Sequence, residues 1–298
     1  MTNVISQKLL KELGLSGQTE VTTLAGNAND NYLIHSGQRK IVVKCFGGHT
    51  PKNEEIEGVY RQYLSANNIP VAKFIQFASG RYVYSNAGFD YVALNYVEGC
   101  EARGRESIIV EELATIIAQV HLLDYSAMPK RSHWLNGLYV KGVCNETQLN
   151  TELIDELQKQ NNSFSDFWSD KLPKGIIHGD LHAGNIILGP NDQIVSIIDW
   201  EESGVSSLVL DIAGVVQAIS QQETGFNKSI FDRFFTAYQS VRVLQSAEKA
   251  IFNEAIRYRS FIVYVWACTK YAQDSMNDER LTFFKRRYYE HPVVPVIE

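Results

Sequence analysis

Cysteine, proline and methionine are scarce in this 298-residue chain, which has four, seven and three of them. Cys45, Cys100, Cys144 and Cys268 lie far apart and form no CxxC pair. That excludes a disulfide framework and a cysteine-based zinc site, and fits reduced thiols. Long apolar runs are missing too. The stretch FIVYVWAC (261–268) is far short of the ~20 residues a bilayer-spanning helix needs. Basic residues give no surplus, with 28 Lys and Arg against 34 Asp and Glu and a net charge of −6. Without clustered cations, nucleic acid is excluded as the main partner, and the acidic balance suits a cationic acceptor. The opening MTNVISQKLLKELGLSG breaks any apolar stretch with charges, so no signal peptide is read there. The expectation is a cytoplasmic protein with neither a membrane nor a nucleic-acid partner.

What is present reads as an ordinary globular chain, 45% hydrophobic and 21% charged, long enough for one large domain or two lobes. No internal repeat or low-complexity segment occurs. The first hundred residues look like strands with one helix inserted. EVTTL (20–24), NYLIHSG (31–37) and RKIVVKCF (39–46), separated by turn-rich residues, predict an antiparallel meander. PKNEEIEGVYRQYLSANN (51–68) reads as a helix whose apolar face carries Ile56, Tyr60 and Leu64. RYVYSN and DYVALNYVEG complete the strands. Beyond Gly99 helical periods dominate, as in the stripe Ile109, Leu113, Ile116, Ile117 and Val120. The exception is IIHGDLHAGNIIL (176–188) with QIVSIIDWEES, which reads as short strands joined by the turn signal GPND. The pattern predicts an α+β protein with a β-rich front lobe, a mostly helical back lobe and one polar-tipped hairpin.

The segment 176–188 sets two histidines, an aspartate and an asparagine between apolar runs. His178, Asp180 and His182 alternate and could share a strand face as metal ligands. They could equally form a catalytic loop, or merely satisfy a polar connection. Residues elsewhere favour the catalytic loop. Lys44 lies inside the apolar run IVVKCF, where a lysine must snorkel or meet an anion. Glu57 shares the inward face of its helix with Tyr60 and Leu64 and is the expected ion-pair partner of Lys44, with Glu54 and Glu55 as rivals. Asp199 ends the apolar IVSIID. These are the parts a kinase uses: Lys44 for phosphates, Asp180 for the acceptor's hydroxyl proton, Asn185 and Asp199 for Mg2+. A zinc site lacks a fourth ligand at matching spacing. His178 is expected to brace the loop backbone beneath Asp180, and His121 to pack in the core. Asp211 is expected to accept backbone hydrogen bonds.

HGDLHAGNIIL followed by IIDWEE resembles the signature of the aminoglycoside phosphotransferase and choline kinase superfamily. GNANDNYLI (26–34) is similar to that family's first hairpin, ALNYVEG (93–99) to its hinge, and Asp211 in LDIAGVV to its later aspartate. NDNY and AYQSVRVL (237–244) resemble the homoserine kinase branch. SSL at 206–208 stands where the family often has Gly-Asp-Pro, and DWEE (199–202) is closer to the broad family than to the homoserine kinases. The resemblance implies a two-lobed protein-kinase-like fold, with a nucleotide-binding lobe over 1–97 and a catalytic, substrate-binding lobe over 98–298 that carries a catalytic β-hairpin. It implies ATP or GTP against the hinge, through the Asn95 carbonyl and the Val97 amide, with Ile198 packed under the base. The expected activity is transfer of the γ-phosphate to a hydroxyl of homoserine, a choline-like amino alcohol or an aminoglycoside, homoserine being favoured. The rival reading is an inactive binding or regulatory protein on the same fold. Protein kinase activity is disfavoured because HRD, DFG and APE-like motifs are absent.

Overall fold

The structure is a computed structural model. It describes residues 5–24, 30–47, 52–131, 134–135, 137–146, 149–168, 171–222, 225–271, 278–290, 294–295 and 297. Residues 26–29 of the expected first-hairpin motif and Pro51 lie outside these. The chain divides into two compact units, Met1–Cys100 with Ile187–Glu201, and Glu101–Ile186 with Glu202–Glu298.

The first unit is built on a five-stranded antiparallel sheet of β1 (Glu20–Leu24), β2 (Asp30–Ser36), β3 (Arg39–Gly47), β4 (Tyr84–Asn86) and β5 (Phe89–Asn95), in the order β1-β2-β3-β5-β4. The meander follows the sequence expectation, and the β2–β3 register Ser36↔Arg39 places a two-residue turn at Gly37. Strand alternation gives the sheet two different faces. Ile41, Val43, Cys45 and Tyr91 pack with Leu9, Leu10 and Leu13 around helix α1 (Gln7–Glu12). Sequence reading had assigned that segment no helix. Its start is fixed by Ser6, whose hydroxyl accepts from the Leu9 amide at 3.2 Å. Phe46, Val92 and Leu94 occupy the other face with Ala72 and Val83, and Val42, Val97 and Ile198 pack against them. Helix α2 (Lys52–Ala66) buries Glu57, Tyr60, Arg61 and Leu64. The hairpin β8 (Ile186–Leu188) and β9 (Ile194–Ile197) turns at GPND, where Gly189 N donates to Gln193 O at 2.9 Å.

The second unit is mainly helical. It opens at the two-residue strand β6 (Cys100–Glu101) and continues with α3 (Glu106–Leu122), α4 (Gly137–Glu146), α5 (Thr151–Ser163) and strand β7 (Lys174–Ile177). Strand β10 (Gly204–Ser207), α6 (Leu208–Ser220) and the short pair β11 (Gln221–Gln222) and β12 (Gly225–Phe226) follow. Helices α7 (Lys228–Val241), α8 (Ser246–Tyr271) and α9 (Asp278–Tyr289) close it. The expected stripe of α3 is buried, as is nearly all of α6. One pairing differs from the sequence reading. The apolar run before the polar loop, β7, pairs antiparallel with β10, Ile177 opposite Gly204. The run after it, β8, pairs with β9. The polar residues therefore occupy the link between two sheets, and the hairpin begins just after them. Among the described residues no helix is long and apolar enough to cross a membrane.

Candidate active site

In the first unit, strand β3 sets Lys44 opposite Val92, on the face shared by Val42 and Phe46. Its Nζ lies 2.6 Å from Asp199 Oδ1 and 3.5 Å from Glu201 Oε2. Burial alone would push the ammonium down, but the charges of Asp199, Glu201 and Glu57 outweigh it and lift Lys44 to about 12. Asp199 stands just past the end of β9 with a φ of +62°, a left-handed conformation that a non-glycine residue adopts at a cost. Its neighbours hold it there. Ile197 N donates to Pro70 O at 2.7 Å, and the fully buried Trp200 donates through Nε1 to Ile197 O at 2.9 Å.

Glu57 is buried on α2 and makes its ion pair with Arg61, whose Nε and Nη2 lie 2.7 and 2.5 Å from Oε1. Arg61 also reaches Ala72 O at 3.0 Å and stacks over Phe74. Glu57 thus acts on Lys44 through its charge, and Asp199 is the partner at hydrogen-bond distance. The Glu57–Arg61 spacing of i, i+4 was readable on the helix. Of the rivals, Glu55 is engaged by Arg81 Nε at 2.9 Å and by the amides of Tyr82 and Val83 at 3.1 Å. The residues expected at the hinge fall at the end of β5. Asn95 N donates to Lys73 O at 3.1 Å, while Val97 and Ile198 pack against the Val92–Leu94 face that Lys44 shares.

In the second unit, the loop after β7 is held by nearly every polar group it contains. Asp211, buried on α6, accepts from His178 N at 3.0 Å and Gly179 N at 2.9 Å, one amide to each oxygen. His121 Nε2 lies 3.2 Å from Oδ2, and its Nδ1 is 2.7 Å from Tyr238 Oη. Burial would raise the Asp211 carboxyl, but the His121 imidazole, the nearby His178 ring and the Gly179 amide outweigh it and hold it at about 2. Gly179 has a φ of +85°, and a Cβ there would stand 2.4 Å from Glu202 O, so only glycine fits. Asp180 N donates to His178 Nδ1 at 3.2 Å, and Asn185 Nδ2 donates to Asp180 O at 2.9 Å. The expected roles of His178, His121 and Asp211 are all visible here. His182 Nδ1 accepts from Gly184 N at 3.1 Å. Both histidines of the alternative metal reading thus have a ring nitrogen engaged by the loop's own backbone. Sequence reasoning missed Arg259 and Trp134. Both donate to Gly179 O, at 2.7 and 2.9 Å, from positions 80 and 45 residues away.

The antiparallel sheet and the helical unit form the protein-kinase-like fold, and the chain is a small-molecule kinase acting on hydroxyl acceptors. The model of the phosphotransferase enzyme family matches residues 20–244, and the chain belongs to that family. The homoserine kinase of Rhizobium johnstonii is 25% identical over 258 residues, 82% of this chain and 79% of the relative. Amicoumacin kinase hAmiN, solved with AMP-PNP, Ca2+ and Ami, superposes with a TM-score of 0.72 at 19% identity. The match covers 97% of this chain and 95% of that one. Choline kinase LicA from Streptococcus pneumoniae gives 0.67 at 18% identity, over 95% and 96%. At these identities the solved structures establish the fold.

Proposed function

We propose that the chain transfers the γ-phosphoryl group of ATP to the hydroxyl of a small amino-bearing metabolite, homoserine first among the candidates. The observation that carries this is the Lys44–Asp199 pair at 2.6 Å. A lysine and a carboxylate so placed are an exchangeable pair. Nucleotide phosphates offer the lysine a more highly charged partner, and a divalent cation does the same for the aspartate. Asp180 is the base. It orients the acceptor hydroxyl and takes its proton as the oxygen–phosphorus bond forms and the bond from the γ-phosphorus to the leaving ADP oxygen breaks.

Each of the two expected ligands offers an oxygen, which suits Mg2+, a hard cation. Asp199 supplies a carboxylate. Asn185, whose amide nitrogen is committed to Asp180 O, supplies its amide oxygen. When bound, the metal neutralises phosphate charge as it builds in the transition state. Asn95 and Val97 receive the purine through their backbone, and Ile198 packs beneath it. A purine at this position makes Val97→Pro, which deletes the donor, harmful to nucleotide binding.

The homoserine kinase relatives and the AYQSVRVL likeness support homoserine, and the acidic composition supports a cationic acceptor. Amicoumacin kinase, with its AMP-PNP and Ca2+, supports nucleotide and divalent-metal use. The test is ADP release from ATP and from GTP over L-homoserine, choline, ethanolamine, sugars and aminoglycosides. Acceptor-dependent ADP release with an amino-bearing alcohol is expected. Release with none of them, together with tight nucleotide binding, would favour an inactive binding protein instead.

A further inference from the structure

The loop carrying Asp180 has a second support that the phosphoryl-transfer reading leaves unused. Helix α8 carries Arg259, buried to 5% exposure within the helical unit. Its Nη1 donates to Gly179 O at 2.7 Å, and Trp134 Nε1 donates to the same oxygen at 2.9 Å. The Trp134 ring covers the guanidinium, with 5.3 Å between the guanidinium carbon and the ring centroid. Helix α6 makes room for it. A Cβ at Gly214 would stand 2.6 Å from Arg259 Nε.

The bland reading is a structural brace, and a neutral side chain or a water molecule could serve a carbonyl as well. Burying a guanidinium costs several kcal/mol, so a cation at this place needs a reason. Its surroundings give one. The carbonyl belongs to the peptide that joins Gly179 to Asp180, and the other end of that peptide, Asp180 N, is held by His178. Both ends of the plane that aims Asp180 are fixed. The charges around the guanidinium are mostly negative. Burial pulls Arg259 below its ordinary range, and Asp180, Asp211, Tyr258 and Glu202 pull it back. Glu202 faces Arg131 as well, and Asp211 faces His121 and His178. Three carboxylates thus act on one buried cation.

We propose that Arg259 is a positioning residue for phosphoryl transfer. It fixes the Gly179–Asp180 peptide, and with it the direction of the Asp180 side chain, through a charge-assisted hydrogen bond to Gly179 O. The inference rests on Asp180 serving as the base. Trp134 shares the task through a neutral N–H donor to the same oxygen. Lysine at 259 would return the charge without the planar fork that stacks on Trp134 and reaches the carbonyl.

The experiment compares Arg259→Gln, Arg259→Lys, Trp134→Phe and Asp180→Asn, each checked for folding by circular dichroism and thermal melting. ADP release is followed with the best acceptor of the panel, or with water if none turns over. Arg259→Gln should lower kcat by ~10–100-fold, the scale of a misplaced reacting group, with KM for Mg·ATP unchanged. Arg259→Lys should restore kcat only in part, since it returns the charge without the planar fork. A folded Arg259→Gln variant with wild-type kcat would overturn the inference, as would one whose loss lies in KM for Mg·ATP with kcat unchanged. Should Arg259→Gln fail to fold, Trp134→Phe decides. The loss of one donor should lower kcat ~3–10-fold, and an unchanged kcat would overturn the positioning of the peptide. Asp180→Asn separates the two readings. Wild-type turnover there removes the base assignment, and Arg259's role with it. Lost turnover alongside normal Arg259 and Trp134 variants removes only the present inference.

Discussion

The chemistry-bearing residues of the two units are held in contrasting ways. Around Asp180, the backbone of His178, Gly179 and Asp180 is bound at five points by Asp211, Arg259, Trp134, His178 and Asn185. Most of those supports are buried, and none of these hydrogen bonds uses the Asp180 carboxylate. Around Lys44, two partly exposed side-chain tips meet, with 18% and 34% of the Lys44 and Asp199 side chains exposed. The first arrangement is a fixed mount, in which the backbone of the proposed base is held independently of any acceptor. The second is a pair of charges that can each take a better partner. On the proposed function, rigidity falls where a proton is to be received at a defined angle, and exchangeability where a charged nucleotide and its cation are to enter and leave.

The largest effect that would break this contrast is expected at the base. Asp180→Asn keeps the side chain's shape but removes the negative acceptor, and should lower kcat by ~10²–10⁴-fold. Its thermal stability should fall only modestly, because the loop's hydrogen bonds bypass the carboxylate and Arg259 keeps Asp211 and Glu202 as counter-charges. A large fall in melting temperature would show that the mount depends on the group it carries.

The exchangeable pair should fail in binding as well as in rate. Lys44→Ala removes a contact made before the transition state, so the KM for nucleotide should rise ~10–100-fold, the scale of a charge-assisted hydrogen bond, and kcat should fall with it. Glu57→Gln should do less to turnover than Lys44→Ala and more than Glu54→Gln, since Glu57 reaches Lys44 by charge alone. It should cost stability instead, by leaving buried Arg61 without a full counter-charge. Turnover harmed more by Glu54→Gln than by Glu57→Gln would reassign the helix face.

The smallest effect concerns the mount's own anchor. Asp211 is held at about 2 against an ordinary 3.8. Because the folded value is the lower one, its contribution of about 2 kcal/mol is whole above the ordinary value and is lost as pH falls through about 2. Asp211→Asn turns one acceptor oxygen into a donor facing a backbone N–H, which should cost ~1–3 kcal/mol at neutral pH. Urea denaturation should show that difference shrinking between neutral pH and about 2. A difference that stays constant with pH would mean that the carboxylate charge is not what stabilises the loop.

Much of this was legible in the sequence because the signals are local. Alternation in IVVKCF fixes which face of its strand Lys44 occupies, and the short polar run between apolar segments isolates Asp180 and Asn185. Asp199 stands out as the charge ending IVSIID. The supports of the loop were less legible for a physical reason. Asp211 could be named because its own motif resembles a family element. Arg259 lies in an aromatic-rich helix where nothing in the 3.6-residue period distinguishes a guanidinium aimed at Gly179 from one covering core. Trp134 is equally anonymous. The partner of β7 was hidden too, since a four-residue apolar run carries no record of the strand it pairs with. Arg61, by contrast, stood four residues from Glu57, and that pairing could have been read.

The contrast between a fixed base and an exchangeable pair is tested most directly by calorimetric titration of Mg·ATP into Asp180→Asn and Asp199→Asn, alongside turnover. Asp180→Asn should bind Mg·ATP nearly as the wild type does while losing turnover. Asp199→Asn should bind it ~10–100-fold more weakly, as a charged oxygen ligand of a hard cation is lost. A large affinity loss in Asp180→Asn with none in Asp199→Asn would contradict the account and exchange the two roles.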